Sequence, residues 1–310
     1  MTLLADGLSA RPARESDVAA ITELLTTRSL AVSGVVDTDE DEIHSMLTAP
    51  DAAGRYDVVL DAAGEVVAFV GLWTSATSAH VLVITELREQ FVGTPAHQAL
   101  LTYAMLKAEP VAAGRRVMFG AMARDAVMRE LLERRGLVVV RRFLLMRCAF
   151  PGATETPIWP AQVERRPFNF TRELEAVHAC LADAFRDHFG GGFAALEDFR
   201  HELSGADYAP ELVSVAWREG RVVGAAVARA AFPETPGYGY VSELGVVASA
   251  RGCGLGLALL LDSFARLQTA GASGCALHVD ADSETGATRL YERAGMTAEE
   301  RYVNYAREPG

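Results

Sequence analysis

A cluster of three glycines supplies the first chemistry that the sequence suggests. Gly252, Gly254 and Gly256 follow an apolar, β-branched run and precede an unbroken helical run over 257–267. A strand, a glycine-rich turn and a helix start together bind anions, because backbone N–H groups point outward and missing β-carbons let a phosphate approach. The spacing differs from the Gly-x-Gly-x-x-Gly of dinucleotide folds, and no Lys-Ser/Thr follows to make a P-loop. The stretch therefore predicts a phosphate site, and the alternative is a loop that only reverses the chain.

A second motif follows after one helix and one strand. The run Cys275–Asp280 is predicted to be a strand, and Leu290-Tyr291-Glu292 with Gly295 lies on the helix after it. The pair Arg251-x-x-Gly254-x-Gly256 and Leu-Tyr-Glu-x-x-Gly, in this order, resembles the GNAT acetyltransferase superfamily over residues 163–307. The resemblance implies that acetyl-CoA (coenzyme A) is the cofactor, bound between two parallel strands that splay apart.

The resemblance also implies roles for particular residues. The splayed strands would be 241–247 and 275–280, held apart by a bulge near Leu244–Val246. Tyr291 would be the general acid that protonates the departing thiolate, the alternative being a tyrosine that packs its helix. Glu243 would be the catalytic base or a charge anchor for the substrate ammonium, and Tyr240 is a further group facing the site.

The remaining implied positions concern the cofactor and the acceptor. Ser283 stands where the family often contacts the cofactor, and it is equally suited to be the N-cap of a helix over 284–294. Asp187 and His188 are candidates for binding the substrate together with Tyr240, although a lone histidine is more often structural. The strand around 302–305 is expected to line the acceptor site as well. The implied cofactor-binding residues are Leu244, Val246, Val247, Arg251, Gly252, Cys253, Gly254, Leu255, Gly256, Leu257 and Ser283.

Composition narrows the class of protein. The chain has 310 residues, half of them hydrophobic, and a net charge of −12. Two domains are expected from this length, and the acidic balance without a basic run disfavours a nucleic-acid partner. The cysteines at 148, 180, 253 and 275 show no ligand spacing, which predicts a reduced, metal-free, cytoplasmic protein. We find no apolar run long enough for a membrane span.

The order of elements occurs twice along the chain. Thr85-Glu86-Leu87 matches Ser242-Glu243-Leu244, and Leu132 with Gly136 matches Tyr291 with Gly295. A turn-rich connection separates the copies, so we predict domains at 1–150 and 163–310 joined by a linker at 151–162. The expected fold class is α/β with a mixed sheet (α+β). Each GNAT-like domain would have a mostly antiparallel sheet with one splayed parallel strand pair, flanked by helices.

The first copy has lost the features of the phosphate loop. We align Val92, Pro95 and His97 with Arg251, Gly254 and Gly256, in a loop two residues shorter. Proline has no N–H to donate, and a β-carbon at 97 would crowd a diphosphate. The first domain is therefore predicted to be degenerate, and the second to bind acetyl-CoA and perform catalysis.

The tandem arrangement resembles the actinobacterial GNAT enzymes of the mycothiol synthase group. It implies an acetyl-CoA-dependent N-acetyltransferase that transfers the acetyl group directly to the primary amine of a small polar metabolite. Two alternatives remain open at this point: a protein or peptide N-acetyltransferase, and a non-catalytic acyl-CoA-binding regulatory protein. The expected partner is a small-molecule amine, with no nucleic acid and no membrane.

Overall fold

A computed structural model describes residues 2–4, 7–36, 38–49, 52–74, 78–186, 189, 192–205, 208–283 and 286–308. The chain divides into two compact units. Residues 1–142 and 300–310 form the first unit, and residues 143–299 form the second. None of the helices within the described ranges has the length and apolar character to cross a membrane.

Both units contain helices and strands. In the first unit they are β1 (Thr2–Leu3), β2 (Ser9–Pro12), α1 (Val18–Ser33), α2 (Glu40–Thr48), β3 (Tyr56–Leu60), β4 (Val66–Trp73), β5 (His80–Leu87), α3 (Pro95–Ala112), β6 (Arg116–Met122) and α4 (Ala126–Arg134). Strand β7 (Val138–Ala149) has its last seven residues in the second unit. The second unit continues with β8 (Glu164–Arg165), α5 (Phe170–Ala184), α6 (Leu196–Glu202), β9 (Tyr208–Arg218), β10 (Arg221–Arg229), β11 (Tyr238–Val246), α7 (Leu255–Thr269), β12 (Gly274–Asp280) and α8 (Ala287–Arg293). Strand β13 (Thr297–Ala306) ends in the first unit.

Each unit contains a mixed sheet with one parallel pair. The strand order is β1-β2-β3-β4-β5-β6-β13 in the first unit and β7-β12-β11-β10-β9-β8 in the second. The pairs β5–β6 and β11–β12 are parallel, and the other described pairs within the two sheets are antiparallel. The predicted fold class is confirmed.

The units divide the chain at other points than the predicted domain boundaries. Phe143–Ala149 pair with β12 in the sheet of the second unit, and Tyr302–Tyr305 pair with β6 in the first. The turn-rich stretch at 151–162 lies inside the second unit. A boundary placed in sequence order takes no account of the pairing between distant strands.

The second unit has a helix layer on each face of its sheet. Helix α7 covers one face, where Leu260, Phe264 and Leu267 pack with Val241 and Leu277. Helices α5 and α6 cover the other face, where their buried side chains pack with those of β9 and β10. Successive side chains of a strand point to opposite faces of the sheet, so the position of a residue along its strand decides whether it packs against α7 or against α5 and α6.

Candidate functional site

The parallel strands of the second unit separate soon after they begin to pair. Residues 238–240 of β11 pair with residues 274–276 of β12. Beyond this point β11 continues to Val246 and β12 to Asp280, and no further pairing between the two is present in this described stretch. The backbone of β11 beyond Tyr240 is therefore not paired with β12 in the described stretch, as expected for the splayed pair.

A bulge in β11 lies at Ser242 rather than near Leu244–Val246, where it was expected. Val227 of β10 pairs with Glu243 and Ala228 pairs with Val241, so Ser242 is the extra residue. Gly224, Ala225 and Ala226 pair in regular register with Val246, Gly245 and Leu244. The segment 244–246 is thus a regular ladder, and the predicted position is corrected by two to four residues.

The bulge changes the side-chain phase of β11. Val241 and Leu244 both pack on the side of α7, although they are three positions apart along the strand. Gly245 lies against α5 on the other side, since a β-carbon there would come within 2.9 Å of Ala184. Glu243 therefore shares a face with Tyr240, which a regular strand would prevent.

Glu243 occupies an environment that favours the protonated carboxyl group. Burial raises its pKa to about 8, the charge of Glu202 adds to the effect, and the Arg229 guanidinium opposes it. Arg229 is itself engaged, donating to Tyr208 Oη at 2.5 Å and to Glu202 Oε1 at 3.0 Å. A carboxyl group with a pKa near neutrality suits general base catalysis.

Tyr291 and Tyr240 are close enough to Glu243 for their charges to interact. Tyr291, on α8, is only 8% exposed, and burial, followed by the charges of Tyr240 and Glu243, raises the pKa of its phenol. Burial raises the pKa of Tyr240 to about 12. The structure thus brings together the two predicted catalytic residues and one of the three predicted substrate-binding residues.

Tyr240 leads to two polar residues that the sequence analysis missed. Its Oη lies 3.1 Å from Nδ1 of His278, and its ring stacks on Phe232 at a centroid distance of 5.0 Å. Nε2 of His278 lies 3.6 Å from Oε1 of Glu234, which is 6% exposed. Tyr240 pairs with Ala276 on β12, and His278, two residues later, lies on the same face of the sheet as Ala276. The alternation of side chains along β12 could therefore have indicated His278 from the sequence. Glu234 lies in a turn, where no periodicity points to it.

The glycine loop has the geometry of an anion site. Gly252 and Gly254 have left-handed φ values of 78° and 88°, and a β-carbon at either position would meet no atom within 4 Å. Gly254 is the N-cap of α7, and Ala258 is the first helical residue to donate back, to the Gly254 carbonyl at 3.1 Å. The N–H groups of 255–257 belong to the first helical turn and have no acceptor within the helix.

The Arg251 side chain connects this loop to its surroundings. Nε donates to the Val246 carbonyl at 2.9 Å, and an Nη nitrogen donates to the Ala184 carbonyl at 3.0 Å. The guanidinium therefore ties the loop to the end of β11 and to α5. The backbone N–H groups remain the predicted ligands of a diphosphate.

The other loop positions have mainly packing roles in the structure. Leu255 is 1% exposed, and a β-carbon on Gly256 would come within 2.7 Å of Leu290 on α8. Cys253 is exposed, with its thiol 3.3 Å from the Ala250 carbonyl, and Leu257 packs partly buried beside α7's core residues. Val247 donates its N–H to Val223 on β10.

Ser283 is not a helix cap. Helix α8 begins at Ala287 with Gly286 as its N-cap, so Ser283 lies before the helix, its N–H donating to the Asp280 carbonyl at 3.2 Å. The left-handed backbone at Gly286, with φ of 69°, sets the later start. Asp187 and His188 lie outside the described residues. The strand segment 302–305 is paired with β6 in the first unit.

The corresponding loop of the first unit is closed by its own side chains. Helix α3 begins at Pro95 with Thr94 as N-cap, so Thr94 corresponds to Gly254 and Ala96 to Gly256. Our alignment of Pro95 and His97 was therefore wrong by one residue. Nδ1 of the buried His97 accepts the N–H of Gly93 at 3.3 Å, and proline at the first helical position has no N–H.

A buried arginine contacts Glu86, which the sequence comparison matches with Glu243. Arg28 is 3% exposed and pairs with Glu86 at 3.4 Å, Glu89 at 2.5 Å and Asp125 at 2.7 Å. Strand β5 pairs with β4 without a register shift, so it lacks the bulge of β11. Leu132, the counterpart of Tyr291, is fully buried. Among the described residues, no group of three or more acidic, histidine or cysteine side chains has the arrangement of a metal site.

Comparison with known proteins places these features in a family context. Residues 174–296 match the family model described as Acetyltransferase (GNAT) family. A mycothiol acetyltransferase of Parafrankia sp. (strain EAN1pec) is 30% identical over 312 residues, covering 94% of this chain and 95% of that protein. A GCN5-related N-acetyltransferase from Sphaerobacter thermophilus is 26% identical, with a TM-score of 0.79 over 99% of this chain and 98% of that one. A tandem GNAT protein from the clavulanic acid biosynthesis pathway shares the fold, with a TM-score of 0.71 over 96% and 97% of the two chains at 14% identity.

Proposed function

The chain belongs to the GNAT acetyltransferase family as a tandem member, and from this premise we propose that it transfers the acetyl group of acetyl-CoA directly to the primary amine of a small polar metabolite. An N-acetyltransferase activity of the GNAT type follows from the family. The donor, the class of acceptor and the residues that act are the proposal.

The second unit has the features required to hold the donor. Acetyl-CoA supplies an activated acetyl group when bound. The N–H groups at the start of α7 would hold its diphosphate, because Gly252 and Gly254 leave open space where other residues carry a β-carbon. The free edge of β11 beyond Tyr240 would pair with its amide groups. In the first unit the Gly93 N–H and the Pro95 position are closed to an anion, which supports a degenerate role for that unit.

Glu243 is the proposed general base. An amine arrives as an ammonium and must lose a proton before it attacks a carbonyl. The pKa of Glu243, about 8, is close to that of an α-ammonium group, also about 8. Matched pKa values favour proton transfer in either direction, and an ammonium beside the carboxylate stabilises its ionised form.

Tyr291 is the proposed general acid. Burial raises the pKa of its phenol, so Oη holds its proton at neutral pH. A thiolate leaving into the same water-poor site is also destabilised by burial and therefore accepts this proton. The observation that carries the proposal is the end of the β11–β12 pairing at Tyr240, with Glu243 three positions further along β11 and the buried Tyr291 near enough to interact with it.

A small-molecule acceptor is favoured over a protein. The relative from Parafrankia carries the name mycothiol acetyltransferase, which describes a metabolite enzyme, and it matches nearly the whole chain. Once deprotonated, Glu243 would supply the counter-charge for a cationic amine, with the charge of Glu202 partly offset by Arg229.

The test is release of free thiol from acetyl-CoA in the presence of glucosamine, ethanolamine, putrescine and amino-acid methyl esters. We expect turnover with at least one amine, and Tyr291→Phe to lower kcat about 100-fold with an unchanged KM for acetyl-CoA. Tyr238→Phe, which removes a hydroxyl from β11 two residues before Tyr240, is the matched control and should behave as wild type. No release with any amine, or full kcat in Tyr291→Phe, would contradict the proposal.

A further inference from the structure

Three polar side chains form a line that ends at the active site. Glu234 lies in the turn before β11, His278 lies on β12, and Tyr240 lies on β11. The carboxylate is 3.6 Å from Nε2 of the imidazole, and Nδ1 on the other side of the ring is 3.1 Å from the tyrosine hydroxyl.

Aromatic packing fixes the two rings in this arrangement. Phe232 stacks on Tyr240 with an interplanar angle of 11° and meets His278 edge-on at 68°. Phe232 is buried with Leu145 and Ala276, so the rings have little freedom to turn. Packing alone would not require the polar atoms of His278 to face a carboxylate on one side and a hydroxyl on the other.

The order of the three groups determines where the hydrogens lie. A carboxylate only accepts hydrogen bonds, and a neutral imidazole has one donor and one acceptor nitrogen. The Nε2–Oε1 distance of 3.6 Å is too long for a hydrogen bond, but an ionised Glu234 at this distance favours the proton on Nε2 by its charge, which leaves Nδ1 to accept the hydrogen of the Tyr240 hydroxyl. With its hydrogen directed at His278, the Tyr240 oxygen can only accept hydrogen bonds from the site; the backbone N–H of His278 also approaches this oxygen, which leaves one lone pair for the site.

The bulge at Ser242 places this oxygen on the same face of β11 as the Glu243 carboxylate. We propose that Glu234 and His278 act as positioning residues that hold Tyr240 Oη as a hydrogen-bond acceptor. Tyr240 and Glu243 would then each accept a hydrogen bond from one N–H group of the substrate amine. A primary amine donates to both and keeps its lone pair for the acetyl carbon, whereas a secondary amine loses one of these bonds. The inference rests on the proposed amine acetylation and assigns its selectivity for primary amines.

The first experiment reads the hydrogen positions without any substrate. In protein labelled with ¹⁵N-histidine, long-range ¹H–¹⁵N correlation distinguishes the two tautomers, and His278→Gln identifies the signal among the seven histidines. We expect the proton on Nε2 in wild type, a shifted Nδ1 signal in Tyr240→Phe, and a partial move of the proton to Nδ1 in Glu234→Gln. A proton on Nδ1 in wild type, or an unchanged tautomer in Glu234→Gln, would overturn the inference.

The second experiment measures the consequence for glucosamine. Tyr240→Phe should raise KM for glucosamine about 10- to 100-fold, the effect of a hydrogen bond to a charged group, and leave KM for acetyl-CoA unchanged. Glu234→Gln should weaken glucosamine binding in wild type and add nothing in the Tyr240→Phe background, because both act on one oxygen. Additive effects would show that Glu234 does not act through Tyr240.

Selectivity gives an independent reading. Wild type should prefer glucosamine to its N-methyl derivative, and Tyr240→Phe should reduce this preference about tenfold, while Tyr238→Phe preserves it. If the enzyme acetylates amines but His278 has the opposite tautomer, or Tyr240→Phe leaves the selectivity unchanged, only this inference is contradicted. If His278 has the expected tautomer but the protein acetylates no amine, the proposed function is contradicted instead.

Discussion

Replacing Glu243 with glutamine should stabilise the protein at alkaline pH while abolishing its base. In the folded state, burial raises the carboxyl pKa from 4.5 to about 8. The unfolded chain releases this proton near pH 4.5, whereas the folded chain retains it until about pH 8. Between these values the folded state carries more protons, so its stability falls as the pH rises.

The magnitude follows from the two pKa values. A difference from 4.5 to about 8 corresponds to a loss of at most about 5 kcal/mol in the free energy of unfolding, complete above pH 8, because Glu243 keeps part of its exposure to solvent. Glutamine has nearly the same shape and does not titrate. Wild type and Glu243→Gln should therefore have equal stability near pH 4, diverge between pH 4.5 and 8, and differ by a constant amount above pH 8.

The assay is urea unfolding of both proteins, without substrates, at several pH values from 4 to 9. Glu292→Gln, an exposed glutamate on α8, is the control and should follow wild type throughout. The same Glu243→Gln protein should lose about 100-fold or more in kcat/KM for the amine. Parallel stability curves for wild type and Glu243→Gln, or a variant that becomes relatively less stable as pH rises, would refute the reasoning.

Two further predictions concern the glycine loop and the first unit. Gly254→Ala should cost about 1 kcal/mol, because its φ of 88° is strained for alanine, and should weaken acetyl-CoA binding at least tenfold by calorimetry. Gly271→Ala, with φ of 95° at the other end of α7, should cost the same stability and leave the affinity unchanged; equal affinities in both variants would argue against the loop. Arg28→Met should lower the free energy of unfolding by about 3–5 kcal/mol at pH 7, because Glu86 and Asp125 lose their buried counter-charge. Its acetyl-CoA affinity should remain that of wild type, and a stability loss below about 1 kcal/mol would contradict a structural role for this cluster.

The local features of the fold could be predicted because they depend on short stretches of sequence. The glycines that open α7 and the strand before them are adjacent in the chain, so their spacing alone indicates the turn and the helix start. The repeated order of elements similarly predicts two sheets with a parallel pair each. Tyr291 and Glu243 were named from motif positions, and the structure brings their charges within interaction distance.

Features that depend on pairing between distant strands were missed or misplaced. The bulge at Ser242 arises from the register between β10 and β11, and the residue itself has no turn signature. His278 lies on a different strand from Tyr240, and Glu234 lies in a turn, so no local spacing connects the three. The start of α3 at Pro95 was misaligned by one residue because the sequence does not show that Thr94 takes the N-cap position.

The exchange of terminal strand segments has a consequence for how the two halves can exist apart. Phe143–Ala149 complete the sheet of the second unit, and residues 300–310 belong to the first. Cutting the gene at the turn-rich connection would give one product that carries a strand with no sheet to join and another that lacks the same strand. Each half therefore depends on a strand segment that lies on the other side of the connection in the sequence, and we expect neither half to fold fully when it is expressed alone.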